Sequence, residues 1–468
     1  MGFFNKIKGW FNKMIHTDSK EIFNVAAVST PETDAVVQTC AEAYRGFPRW
    51  ADKLSGVKTI NFAKSLCSET ARLTTLAIDV TVDGSARADW INNVINQSRF
   101  KFRYWCEYAC AYGTIVLKPS ESTIDVFLPG DYIVTDCAGD RITGAVFRYV
   151  EYDAITDKWY TRLEHHRIEN DMYSIVNRCF VSSTERSKGK PIEIEATPWV
   201  GILEEVEMQG VDGMLFAVLR TPSANNLDVN SPLGLPFISD ALSELEALDV
   251  AWSRNAEEIH DSGRIVMLDS ARLNPRFGNP SLEGQASVVE RSGLPKYVRL
   301  LEGDGVEDVY HEINPQLNTE MRLTGINALL SEIGFKCGFS NGYFVFNEST
   351  GVITATQVEA DDRRTIQLIK DMRDRLEDAV GQLVKAFDVL ADLYNLAPSG
   401  AYDVVCDFGD ITYNREEDRA RYYGFVRDGR YPFWKYLVEF EGFSEDDAKQ
   451  LEEENKAANK LPLLFGEE

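Results

Sequence analysis

The chain has 468 residues, 44% of them hydrophobic and 26% charged, and its net charge is −25. This composition excludes a disordered chain. The acidic balance excludes broad wrapping of nucleic acid, which needs Lys and Arg to replace the counterions on phosphates, though not a surface past which DNA moves ungripped.

In chain order, residues 2–15 come first. Phe3, Phe4, Ile7, Trp10, Phe11, Met14 and Ile15 fall at helical spacing with Lys6, Lys8 and Lys13 between them. This predicts a basic amphipathic helix that docks on its own protein or on a partner, with a membrane surface as the alternative. Lys6 stands where a myristoylation signal needs Ser or Thr. No secretory signal is legible, and no apolar run approaches the ~20 residues of a membrane span. The eight cysteines form no CxxC pair. Free thiols and synthesis in the cytoplasm are expected.

Helical signals fill 31–115 and end with SRFKFRYWCEYACAYG, closed by Gly113. Cys106 and Cys110, one turn apart, read as packing residues. The period then changes to two. TIVLKPS, TIDVFLPGDYIVT, ITGAVFRYVEYD, KWYTRLEHHRI, MYSIVNRCF and EIEATP predict an antiparallel β region to about residue 198. A loop covers 225–236. A helix over 238–262 follows, with Ile238, Leu242, Leu245, Leu248 and Trp252 as its apolar stripe. RIVMLD and KYVRLLE read as strands of a compact insert, and Pro315 opens a helix running through Leu330 and Ile333 to Gly334 or Gly338.

FSNGYFVFNESTGVI alternates as a short hairpin does, and Thr356 with Glu359 forms a capping box. From there Ile366, Ile369, Met372, Leu376, Ala379, Leu383, Phe387 and Leu390 carry a helix to about Asn395. Its length without a strict heptad seam predicts packing along a large assembly. Three short capped helices close the chain: from Asn414 to Gly429, from Pro432 to Gly442, and from Ser444 onward.

Catalytic signals are absent. There is no phosphate-binding GxxxxGK motif. Asp407-Phe408-Gly409 lacks the other kinase elements, and Gly303-Asp-Gly305 lacks the third glycine of a dinucleotide site. His165 and His166 are neighbours in a strand, so their rings point to opposite faces and do not share a metal. Asp361 and Asp362 read as favourable charge in a helix first turn. No catalytic, cofactor or metal site is expected, and the fold class is α+β.

At this point four blocks carry a resemblance over about residues 40–455. FRYWCEYACAYGTIVLKPSESTIDVFLPGDYIVT, WYTRLEHHRIENDMYSIVNRCF, SPLGLPFISDALSELEALDVAWSRNAEEIHDSGRIVML and GFSNGYFVFNESTGVITATQVEADDRRT resemble, in this order, segments of tailed-bacteriophage portal proteins of the long non-contractile-tailed type from Gram-positive hosts. The family often has a glycine pair where Gly113-Thr114 stands here.

The resemblance implies a homo-oligomeric, dodecameric ring at one capsid vertex, in the virion. The ring would be the channel for packaging and ejecting double-stranded DNA without sequence specificity. Its partners would be the terminase large subunit, the head–tail adaptor, and the major capsid and scaffold proteins. It implies a mixed wing (1–235), a first stem helix (236–262), a small αβ clip (263–312), a second stem helix (313–337), a tunnel loop (338–353), a long wing or tunnel helix (354–397) and a wing end with helical crown (398–468). Asn341, Tyr343, Phe344, Phe346 and Asn347 would face DNA from the tunnel loop. Arg264, Arg272, Arg276 and Tyr297 would serve docking at the clip. The alternatives are a capsid-associated scaffold or adaptor without a channel, and a metal-dependent nuclease or phosphotransferase built on Asp361, Asp362 or Asp407.

Overall fold

The computed structural model describes residues 15–52, 54, 56–120, 123–185, 187–261, 318–346, 355–409, 415–441 and 443–458, with short strands at 265–269, 298–301 and 310–313. The chain divides into two compact units, Met1–Phe408 and Gly409–Glu468. Helix and strand are mixed throughout the first, as an α+β chain requires. The expected N-terminal helix lies outside the described residues except for its last position, Ile15, which begins helix α1 (15–23) and is fully buried.

Three helices, α2 (Pro31–Tyr44), α3 (Phe62–Thr74) and α4 (Ala86–Gln97), precede α5 (Phe102–Tyr112). The Thr30 hydroxyl accepts from the Thr33 amide to start α2, and the Ser85 hydroxyl accepts from the Ala88 amide to start α4. The expectation of helical structure throughout 31–115 is corrected at one place. Strand β1 (Asp79–Asp83) interrupts it and pairs antiparallel with β14 (Asp403–Asp407). Asp-Val-Thr-Val-Asp alternates, burying Val80 and Val82. Local helical signals on both sides mask a strand whose partner lies at the far end of the unit.

α5 ends at Gly113, whose φ of +81° lies in the left-handed region that glycine tolerates. A Cβ there would sit 2.3 Å from the Gly234 carbonyl oxygen, so the chain crosses itself at backbone contact. The crossing is hydrogen-bonded throughout. The Gly234 amide donates to the Thr114 hydroxyl (2.8 Å), the Thr221 amide to the Gly113 carbonyl (2.9 Å) and the Phe237 amide to the Cys110 carbonyl (2.8 Å). Two of the four resemblance blocks therefore meet in space.

The β region follows. β2 (Thr114–Ser120) lies between β3 (Thr123–Phe127) and β10 (Ala217–Arg220). β4 (Tyr132–Ala138), β5 (Arg141–Asp153), β6 (Lys158–Glu169), β7 (Met172–Ser182) and β8 (Lys190–Ile192) form a meander, with β9 (Glu205–Gln209) also on β7. The predicted continuation through EIEATP is instead a 3₁₀ turn at Ile194–Ala196.

α6 (Leu242–Asp261) is entered by a 3₁₀ turn, Ser239–Ala241, and buries Leu245 and Leu248. α7 (Thr319–Lys336) lies antiparallel to it: Lys336 pairs with Glu244 at 2.6 Å, and Arg322 pairs with Glu258 at the opposite end. Of the intervening 263–312, strand β11 (Ile265–Asp269) pairs parallel with β12 (Val298–Leu301) and antiparallel with β13 (Tyr310–Ile313). The first two answer RIVMLD and KYVRLLE. Arg264, Arg272, Arg276, Tyr297 and Pro315 lie outside the described residues.

α8 (Ala355–Leu393) is 39 residues long, about 58 Å at 1.5 Å per residue. It begins one residue before Thr356, so Thr356 does not occupy the predicted cap position; the side chains of 355–362, Asp361 and Asp362 among them, lie outside the description. The expected apolar stripe is buried from Ile369 to Phe387, and so are Leu368, Val380 and Val384 beside it. These positions pack within one core with α3, α4, β1 and β10. Over these positions the helix buries its apolar surface inside its own unit. Arg87, 1% exposed, ties α4 to the end of α8, donating to the carboxylates of Asp388 and Asp392 and to the carbonyls of Ala397 and Pro398.

The second unit holds α9 (Arg415–Arg427), α10 (Phe433–Glu441) and α11 (Glu445–Ala458) around Tyr436, Leu437, Phe440 and Ala448. The Ser444 hydroxyl accepts from the Asp447 amide, the predicted cap; Asn414 lies outside the described residues.

Among the described residues no helix is long and apolar enough to cross a membrane, and no group of three or more His, Cys, Asp or Glu is placed to hold a metal ion. Cys106 and Cys110 are fully buried, and burial pushes both thiols up, that of Cys106 to about 12.

Candidate functional site

The segment after α7 was expected to be a hairpin. Through Phe346 it is not: residues 341–346 form turns and bends without a strand, and 347–354 lie outside the described residues. Aromatic packing between elements accounts for the alternation instead. Gly338, at φ +81°, turns the chain off α7. Phe339 is then fully buried, 6.3 Å from Phe237, 5.0 Å from Tyr343 and 4.8 Å from Phe344 by ring centroids. The Phe344 ring meets Phe62 of α3 edge-on at 5.2 Å, a favoured geometry for two aromatic quadrupoles. A Cβ on Gly334 would approach the Phe344 ring to 3.3 Å, so the small residue makes room for it.

Polar contacts fix the rest of the turn. The Ser340 amide donates to the Thr365 hydroxyl of α8 (2.9 Å), and the two hydroxyls share a bond of 3.0 Å. Asn327 of α7 brackets Phe346, its Nδ2 donating to the Phe346 carbonyl (2.7 Å) and its Oδ1 accepting from the Phe346 amide (2.8 Å). The Phe346 ring lies 6.0 Å from Trp252 of α6. Arg364 of α8 lies over the Phe335 ring at 3.7 Å and donates to the Phe335 carbonyl. The Tyr343 hydroxyl donates to Glu69 of α3, itself held by Arg72 at 2.7 Å. The Arg72 hydrogen bond, against burial and with help from the Tyr343 hydroxyl, lowers the Glu69 carboxyl. Burial and the Glu69 bond push the Tyr343 phenol up to about 12.

Of the five predicted loop residues, Asn341, Tyr343 and Phe346 are exposed, and Phe344 packs inward as a pillar between α3 and α7. Asn347 lies outside the described residues. Among the described residues the arrangement holds a short exposed turn against α3, α7 and α8. Asp407, offered by the enzyme alternative, is an exposed strand end opposite Asp79.

A second polar cluster lies in the β region. Glu164 of β6 accepts from Lys118 and pairs with Arg162, and His166 contacts it at 2.6 Å. Tyr173 receives the Leu215 amide proton and lies 2.6 Å from His166 Nδ1. The bonds are all met by a neutral imidazole that donates from Nε2 to Glu164 and accepts at Nδ1 from Tyr173. Burial lowers His166, and burial lowers His165 to about 4. His165 faces the other way, against Phe23 of α1, as strand alternation predicts.

No protein-family model matches this chain, and a search of curated proteins finds none that matches it.

Proposed function

We propose that this chain is the subunit of a phage portal ring, through which double-stranded DNA enters and leaves a capsid. The four ordered sequence blocks bring the reading forward. The observation that carries it is the exposed turn at 341–346, clamped by Asn327 of α7, Thr365 of α8 and Glu69 of α3. A conduit needs such a part: a short projection, rigidly backed, that meets a moving duplex without reading its sequence.

In this reading α6 and α7 form the stem, and the β11–β13 insert between them is the clip that docks terminase and adaptor. α8 is the strut behind the loop, 1–235 the wing and 398–468 the wing end and crown. Asn341, Tyr343 and Phe346 face the duplex, while Phe344 supports them from below. A charge of −25 per subunit repels phosphates across the bore and disfavours a static complex. Catalysis belongs to the motor that docks on the ring.

End-on class averages of the purified chain by negative-stain electron microscopy, alone and with its cognate scaffold protein, test the proposal. Closed rings with a pore about one duplex wide, roughly 20 Å, are expected. A poreless closed particle or a stable dimer under both conditions would sink the conduit and favour the scaffold reading.

A further inference from the structure

Many cations on this acidic chain sit against a carboxylate, as Arg49, Arg72, Arg87 and Lys118 do at 2.7 Å or less. Others, Lys58, Lys370 and Lys385 among them, do not among the described residues, and two such unpaired cations share one cleft. It has a volume of about 440 Å³ and lies where α3 packs on α5. Lys64 and Ser68 line it from successive turns of α3, and Arg103, Tyr104 and Tyr108 from α5. Lys64 and Arg103 are exposed and form no hydrogen bond or ion pair among the described residues, nor does the adjacent Lys101. The hydroxyls of Ser68, Tyr104 and Tyr108 are unpartnered on the same terms. The carboxylate in the lining, Glu107, is buried at the base and accepts from the Tyr44 hydroxyl at 2.7 Å.

The free donors of this cleft are therefore two cations and three hydroxyls, set for a ligand whose oxygens only accept, above the carboxylate of the lining, Glu107, at the base. At its mouth stand Phe100, 87% exposed, and Tyr104, 56% exposed, an apolar ridge beside the cations. The cleft adjoins the clamped turn. Ser68 is next to Glu69, which receives the Tyr343 hydroxyl, and the Arg103 charge helps to lower that same carboxyl through space.

We infer that this cleft takes a phosphodiester of duplex DNA, Lys64 and Arg103 holding the phosphate and Phe100 and Tyr104 lying against the sugar edge. The inference rests on the conduit reading, since the neighbouring turn is what brings the duplex there, and it names where an acidic ring keeps its few phosphate contacts. Each contact releases condensed counterions, so the grip is salt-sensitive and sequence-blind.

The test uses the full chain and a mixed-sequence duplex of about 30 base pairs, with binding measured by fluorescence anisotropy across a salt series. For the double variant Lys64→Gln/Arg103→Gln, the slope of log K against log salt should be shallower by about 0.9 for each cleft engaged, one phosphate at about 0.9. The charge-preserving Lys64→Arg/Arg103→Lys should keep the slope. An unchanged slope in the Gln variant, or no binding by the parent chain at low salt, overturns the cleft inference. Pored rings in the same samples leave the conduit reading standing in either event. If the Gln variant keeps its circular dichroism but loses rings that the parent forms, the donors serve a carboxylate of a neighbouring copy, and the phosphodiester assignment falls. A slope change without rings, both alone and with the scaffold protein, supports the cleft and removes the conduit.

Discussion

Asn327 and Phe346 form a closed pair of hydrogen bonds, one amide side chain against one backbone unit, at 2.7 and 2.8 Å. The pair pins the far end of the exposed turn to α7. Asn327→Ala removes both bonds, yet leaves exposed groups that water can satisfy, so global stability should change by no more than about 1 kcal/mol. Local order should change more. Amide exchange at Phe346, read by hydrogen–deuterium mass spectrometry, should accelerate by about tenfold or more while α6 and α7 keep their protection. Unaltered exchange at Phe346 would show that the aromatic packing on Trp252 suffices.

The crossing of Gly113 and Gly234 makes a second prediction, because backbone meets backbone there. In Gly113→Ala the new methyl lies 2.3 Å from one carbonyl oxygen and 2.6 Å from the Pro236 nitrogen, at a positive φ as well. Neither neighbour is the end of a flexible side chain. A loss of at least about 3 kcal/mol is expected from urea midpoints. Gly130→Ala is the control: its φ is +103° but nothing lies within 4 Å, so backbone strain alone should cost about 1–3 kcal/mol. Equal losses in the two variants would remove the close crossing as the cause.

Periodicity was enough to read the helices that bury one clear face. Leu245 and Leu248 on α6, and Ile369 through Phe387 on α8, lie where their spacing puts them. It failed where the deciding partner is remote. β1 reads as part of a helical stretch because its pairing partner is β14, and Phe344 reads as a hairpin position because Phe62 is invisible from its own segment. Lys118, Glu164 and His166 look like the polar face of a strand, and only the fold shows that face to be buried. The cationic cleft was equally hidden. SRFKFRYW reads as a helix start, and nothing local says that Lys64 of another helix joins Arg103 there.

A third prediction concerns pH. His165 is buried, its Nε2 has no hydrogen-bond partner, and burial lowers it to about 4, with Arg167 adding to the effect and Asp136 opposing it. It is thus neutral in the folded chain where the unfolded chain, with an ordinary value near 6.5, takes up a proton. The stability it contributes is complete above about pH 6.5 and is lost as pH falls toward 4, at up to about 1.4 kcal/mol per pH unit. Urea midpoints taken between pH 7.5 and 4.5 should fall for the parent chain and fall less steeply for His165→Phe, which keeps a ring against Phe23. Parallel profiles would show that His165 does not carry the effect.

The pairing of β1 with β14 also sets a timetable for synthesis. Asp79 meets Asp407, so on a ribosome adding about 5–20 residues per second the partner of β1 emerges roughly 16–65 seconds after β1 itself. For that interval β1 is an edge with no neighbour, the state in which strands recruit the wrong chain. Its sequence is suited to the wait: five residues long, with a carboxylate at each end, Asp79 and Asp83.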